Sequence, residues 1–262
     1  MRWMISWVAG PTGYCNSNPG DAVLSYNASV GFMHLPSANR QQGRHYHSVS
    51  EIYIILRGHV LGYDGHGVTH RAGPLDCIYI PRGVPHGVRS CGEGPVDLIW
   101  VHDAIERKGI SKYWDESMAN PQDESKEEIK VLPLNDLEPN WDYEHTKEPG
   151  QNHWSINWVG GVKGSTNFSP ALALHNDKVA VGLTVIPPGN KQVMTRPIAE
   201  LNVVVRGKVV VDIGNGYEEL HRMDAVYIPA GNSRTLRNNG DEESYIVWVH
   251  EKPSAADTDI VS

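Results

Sequence analysis

At 262 residues the chain has room for one large domain or two of ordinary size, and either arrangement can bury a substantial core. Apolar residues make up 40% and charged residues 21%, which is ordinary for a soluble globular protein. The formal charge of −8, from 23 basic and 31 acidic side chains, argues against a surface built for nucleic acid or an anionic membrane.

The amino-terminal MRWMISWVAG is too short, and too soon followed by proline and glycine, to form a signal-peptide core. No apolar stretch approaches the length that spans a bilayer, so a cytoplasmic location is expected. Cys15, Cys77 and Cys91 lack C-x-x-C spacing, and their odd number argues against a disulfide framework, so they read as small buried or half-buried thiols. From here the chain runs through short segments rich in Val, Ile, Tyr and Leu. Turn sequences separate them: YDGHG, PRGVP and CGEGP in the first half, IPPGN, IGNGY and IPAGN in the second. Short strands at regular turn spacing predict an all-β sandwich or barrel.

The chain repeats itself. ISWVAG at 5–10 returns as INWVGG at 156–161, and VGFMHLPSAN at 30–39 as VGLTVIPPGN at 181–190. EIYIILRG (51–58) matches ELNVVVRG (200–207), DCIYIPRG (76–83) matches DAVYIPAG (224–231), and WVHD (100–103) matches WVHE (248–251). Five blocks in one order, with offsets drifting only from 151 to 148, indicate a duplicated domain. The expected organisation is a first barrel over 1–103, a connection over 104–155, a second barrel over 156–252 and a tail over 253–262. The connection is acidic and contains proline, with KYWDESM and ESKEEIKVL as candidates for short helical turns. Its Trp114, Trp141 and Trp154 suggest that it packs against the barrels.

The chemistry concentrates in GRHYHSVSEIYIILRG, residues 43–58. His45 and His47 are two apart, so on an extended strand they share a face. Glu51 opens a buried strand, where an unpaired carboxylate is costly and calls for a partner such as a cation. His86 sits in IPRGVPHGV, where glycine and proline set a sharp approach to the next strand. Imidazoles with one carboxylate suit Fe, Mn, Ni, Co, Cu or Zn.

The spacing H-x-H-x3-E-x6-G, followed by P-x-G-x2-H, resembles the two signature motifs of the cupin superfamily. The resemblance implies that His45, His47, Glu51 and His86 ligate a metal, with Gly58 closing the first motif and Pro81 and Gly83 belonging to the second. Asp76 stands near the position of a Gly-Asp pair in that motif, but here the glycine is displaced to Gly73. Because both repeats are covered, the resemblance implies a bicupin: two tandem double-stranded β-helix, or jelly-roll, barrels.

In the second copy, the positions matching His45, His47, Glu51 and His86 are Met194, Arg196, Glu200 and Arg234. Arginine has no lone pair to donate, so that copy is expected to hold no metal. Either Glu200 and arginine form an interior ion pair there, or Arg196 and Arg234 hold an anionic ligand. Tyr53, two beyond Glu51, should face the same cavity, where it could donate to a substrate or fill the core. Trp100 and His102 recur as Trp248 and His250 in the copy without ligands, which favours a structural role, with Trp100 also a candidate pocket wall. His34 is a candidate to stand behind the ligands, and His66 and His70 are expected to be exposed around a turn.

The resemblance implies one divalent transition metal per chain, with Fe(II) favoured over Mn, Ni, Zn, Co or Cu. The expected activity is dioxygenase-like, on a small enol, diketone or hydroxy-ketone, with Glu51 and Tyr53 as catalytic candidates. The alternatives are a non-redox isomerase, dehydratase, cyclase or decarboxylase, and a non-catalytic metal-dependent binding protein. The expected partner is a small-molecule substrate rather than nucleic acid or membrane, with a homodimer as the candidate assembly.

Overall fold

The computed structural model describes residues 2–14, 20, 22–106, 112–140, 148–160, 174–214 and 216–251. Its contacts divide the chain into two compact units, Met1–Asp136 and Leu137–Ser262. The boundary falls inside the segment read as a connection. Cys15, Trp141 and the tail over 253–262 lie outside the described residues.

In the first unit a seven-stranded sheet runs in the spatial order Lys130–Leu132, Cys77–Ile80, Glu51–Arg57, Val96–His102, Ser29–Leu35, Trp3–Ala9 and Val23–Leu24. A three-stranded sheet of Thr69–Ala72, Val60–Tyr63 and Gly87–Ser90 and a two-stranded one of Lys112–Trp114 with Arg44–Tyr46 complete it. Strand alternation sends Tyr53, Ile55, Met33, Leu35, Leu98 and Trp100 inward from the large sheet. They meet Val60, Ala72 and Val88 from the smaller one in a single buried cluster.

Cross-strand register stacks this interior in layers. Ile55 lies opposite Leu98, Tyr53 opposite Trp100, and Glu51 opposite His102, so the apolar filling ends in a polar layer at one end of the barrel. The Trp100 indole fits only because its other neighbour, Gly31, has no side chain: a Cβ there would lie 2.3 Å from the ring and 2.2 Å from the Ile5 carbonyl oxygen. The second unit repeats the arrangement, with a Cβ on Gly182 lying 2.2 Å from Trp248. Its sheets contain six strands (Leu174–His175, Trp154–Gly160, Val179–Ile186, Ser244–Glu251, Glu200–Arg206, Ala225–Ile228) and four (Lys191–Thr195, Ser233–Arg237, Val209–Asp212, Tyr217–Leu220).

The connecting segment departs from the helical expectation. Lys112–Trp114 is a strand, paired to Arg44–Tyr46 with Tyr113 opposite His45, and Trp114 lies under the Arg44 guanidinium at 4.7 Å. Lys130–Leu132 adds to the sheet edge at Cys77–Ile80, with Ile129 buried beside it. Long-range pairing overrides a weak local preference in both places. Among the described residues the α-helix is confined to Pro121–Ser125, capped by the Asn120 side chain and ended by Lys126 at φ 54°, with a single 3-10 turn at Leu134–Asp136. No described helix is long and apolar enough to cross a membrane.

Candidate metal centre

Backbone pairing assembles the polar end of the first barrel. His45 and His86 form an antiparallel bridge, although their strands are not sequence neighbours. Glu51 is the first residue of its strand and His47 is held in the turn between, where the His47 carbonyl accepts from Gly83 at 2.8 Å. One ligand atom from each of His45, His47, Glu51 and His86 lies within 4.8 Å of the others. Donors at about 2.0–2.2 Å from one ion stand roughly 3–4 Å apart, so the set can close on a single cation with small side-chain adjustments.

Hydrogen bonds outside the set aim the rings. His86 Nδ1 donates to the Val84 carbonyl at 2.8 Å and presents Nε2 to Glu51 Oε2 at 2.7 Å. His47 Nδ1 is 2.9 Å from Glu106 Oε2, and its Nε2 is 3.4 Å from the same Glu51 oxygen. His102 Nε2 lies 3.3 Å from the other one, Glu51 Oε1.

The electrostatics match this geometry. Burial and the neighbouring His86 push the His45 pKa down to about 3, leaving a neutral ring with a free lone pair. Burial alone would also lower His47, but the Glu106 hydrogen bond, with Glu51, carries it up to about 10. A proton thus stands where the two carboxylates call for a cation. Burial would raise Glu51, yet His102, His47 and His86 hold its carboxyl well below the usual range. Above these residues a cavity of about 210 Å³ is lined by Arg2, Met4, Gln41, Gln42, Trp100, Lys112 and Tyr113 as well as by His45, His47, Glu51 and His102.

A family model described as "Cupin domain" matches the chain twice, over residues 31–102 and 182–250. The chain belongs to the cupin family. It is a bicupin, nearly all-β, with one cupin domain in each unit. No curated protein matches it. Among solved structures, AerE from Microcystis aeruginosa is 14% identical with a TM-score of 0.58, over 86% of this chain and 88% of that one. A Bacillus subtilis oxalate decarboxylase, studied for its Mn(II) centres, is 17% identical at TM-score 0.58, over 88% and 71%. A Lactobacillus farciminis oxalate decarboxylase in complex with formate gives the same identity and TM-score, over 88% and 78%. At these identities the likeness is one of fold.

The second cupin barrel keeps the frame and replaces the donors. Met194 and Arg234 are cross-strand partners where His45 and His86 form their bridge, and Glu200 faces His250 as Glu51 faces His102. Arg234 donates through Nε to Glu200 Oε1 and through Nη1 to Gln192 Oε1 at 2.9 Å, while His250 Nε2 lies 3.0 Å from Glu200 Oε2. Of the two arrangements open from sequence, the barrel contains the interior ion pair. A guanidinium supplies the positive charge that Glu200 needs.

Other sequence expectations need adjustment. Tyr53 does face the Glu51 end, but it is fully buried, its hydroxyl accepts from Gln41 Nε2 at 3.0 Å, and burial with the Glu51 charge pushes its pKa well above 10. His34 does not stand behind the ligands: alternation turns it to the face opposite Met33 and Leu35, where Nδ1 pairs with Asp97 at 2.7 Å. His66 is partly exposed as expected, whereas His70 is half-buried with Nε2 3.6 Å from Asp64. Cys77 is buried and Cys91 half-buried, both free. His102 and Glu106 escaped the sequence reading as members of the site. The repeated pairing of a strand-opening Glu with the His of WVH was the available signal for His102.

Proposed function

We propose that this bicupin is a metal-dependent enzyme acting on a small enol, diketone or hydroxy-ketone bound as an anion. The observation that carries the reading is the convergence of three imidazoles and a carboxylate, within 4.8 Å, under a cavity with Arg2 and Lys112 in its lining. His45, His47, His86 and Glu51 would hold one divalent transition metal, with Fe(II) favoured and Mn, Ni, Zn, Co or Cu as alternatives. When bound, the ion would gather and acidify substrate oxygens as a Lewis acid and, if redox-active, exchange electrons with O2.

The chain's own groups supply the rest. Arg2 and Lys112 have no ion-pair partner among the described residues and would attract the anionic end of a substrate. Glu51 reaches the cavity and stands ready to take a proton from the substrate, with His102 at 3.3 Å placed to receive it from Oε1. Met4, Trp100 and Tyr113 give the cavity apolar surface against which the substrate's carbon skeleton would rest. Tyr53 supports the floor through Gln41, which makes it a positioning group in this reading.

Dioxygenation is the leading reaction. A non-redox lyase such as a decarboxylase is the second reading, favoured by the two cations in the cavity lining, which suit a carboxylate, and by likeness in fold to oxalate decarboxylases. The test is oxygen uptake by Fe(II)- and Mn(II)-loaded protein with acetylacetone, an α-hydroxy-ketone and oxalate. Oxygen-dependent consumption of the diketone or ketone supports the leading reading. Turnover that persists anaerobically rejects it for the lyase. A change in the metal spectrum on adding these compounds, with no product, reduces the protein to a binder.

A further inference from the structure

We propose that Glu106 is a positioning residue of the metal centre, fixing the His47 ring and strengthening it as a ligand through its charge. The proposal rests on the metal reading above and extends it to a residue outside the cupin motifs.

Three donors among the described residues converge on this carboxylate. Oε2 faces His47 Nδ1 at 2.9 Å, while Oε1 accepts from the Ser48 backbone N–H at 2.7 Å and from the Ser48 hydroxyl at 2.9 Å. Both oxygens are therefore pinned, and the ring can rotate only by breaking a charge-assisted bond. The Glu106 side chain is fully buried, a costly place for a carboxylate unless its charge is used. With Nδ1–H committed to Glu106, the proton that an incoming ion displaces is the one on Nε2, so the lone pair freed points to Glu51 and the other donors. An anionic acceptor also makes the ring a stronger donor than a backbone carbonyl would, and His86 has only the Val84 carbonyl. Glu51 and Glu106 together balance the charge of one divalent ion.

The duplication provides an independent observation. At the offset of 148 that relates WVHD to WVHE, the position matching Glu106 is Ser254; at the offset of 149 that relates EIYIILRG to ELNVVVRG, those matching His47 and Ser48 are Arg196 and Pro197. The adjoining Asp103–Ser50 backbone bond at 3.1 Å does return, as Glu251 to Ala199 at 3.1 Å. The copy that lacks the histidine thus lacks the carboxylate and its second anchor in sequence, but keeps the neighbouring structural bond. Glu106 goes with the ligand, not with the fold.

The test uses the full chain, stripped with a chelator and titrated with Co(II) against a competing indicator. Wild type should bind Co(II). Glu106→Gln, which keeps the size and an acceptor but removes the charge, should bind it about 10- to 100-fold more weakly with a shifted d–d absorption, and Glu106→Asp should recover part of the loss. Wild type and Glu106→Gln should give the same circular dichroism without metal at the titration temperature, so that the changes in affinity and spectrum report ligand positioning and not unfolding. Unchanged affinity and spectrum in Glu106→Gln would overturn the proposal while leaving the metal reading intact. Failure of wild type to bind Co(II), Mn(II), Fe(II) or Zn(II) would overturn both.

Discussion

His45 and His86 face each other across an antiparallel bridge, each donating its backbone N–H to the other's carbonyl at 2.9 and 2.8 Å. Two candidate ligands from separate sequence motifs are thus locked together by backbone, and their separation does not depend on the side chains. Met194 and Arg234 hold the same relation in the second barrel.

Removing a ring should therefore remove the metal and spare the fold. His86→Ala keeps both backbone bonds but deletes a donor, and Glu51 loses a contact at 2.7 Å. Wild type should retain about one ion per chain after desalting and the variant well under a tenth of that, measured by elemental analysis with circular dichroism as the fold control. Two ions per chain in wild type would contradict the asymmetry between the barrels.

In the second barrel the cation is a side chain, and the outcome reverses. Arg234→Ala strands a buried Glu200 and should destabilise that unit by about 3–5 kcal/mol while leaving metal content unchanged. Glu200→Gln combined with Arg234→Met should recover part of the loss, because the stranded carboxylate is gone, while Arg196, 3.6 Å from Glu200, gives up that partner. Urea unfolding of the two variants reads this directly.

The same cluster should make the second unit sensitive to acid. Burial, with Arg196 and Arg234 nearby, lowers His250 from 6.5 to about 4, so between those pH values the unfolded chain binds a proton that the folded chain does not. Stability must then fall as pH drops from about 6.5 to 4, by on the order of 3 kcal/mol for this group alone. Glu200 is also depressed, despite its burial, by Arg234 and His250; stability from that group is present above the ordinary carboxylate pKa and lost below it, adding to the decline. His250→Asn should flatten the upper part of the curve. A stability that stays level from pH 7 to 4 in wild type would refute the assignment.

Gly31→Ala tests the layered interior. The new methyl meets the Trp100 ring and the Ile5 carbonyl oxygen well inside contact distance, and a backbone atom cannot swing away. The cost should be about 1–3 kcal/mol or more, seen as a lowered melting point, and Gly182→Ala should do the same against Trp248.

The duplication, the β-rich class and the four candidate ligands were legible in sequence because each leaves a local trace: repeated blocks, short runs between turns, and donors at fixed spacing. Alternation also placed Tyr53 on the Glu51 face correctly, since a period of two needs no partner strand. It could not tell that the Tyr53 hydroxyl accepts from Gln41. His102 lies 51 positions from Glu51 and Glu106 lies 59 from His47, and only strand register and chain return bring them to 3.3 and 2.9 Å. The strands at Lys112–Trp114 and Lys130–Leu132 carried little signal of their own, because each exists through the partner it pairs with. The sequence by itself determined which residues can donate to a metal, because donor chemistry belongs to the side chain. The tertiary structure alone decided how those donors are oriented and charged, because orientation and pKa depend on neighbours distant in sequence.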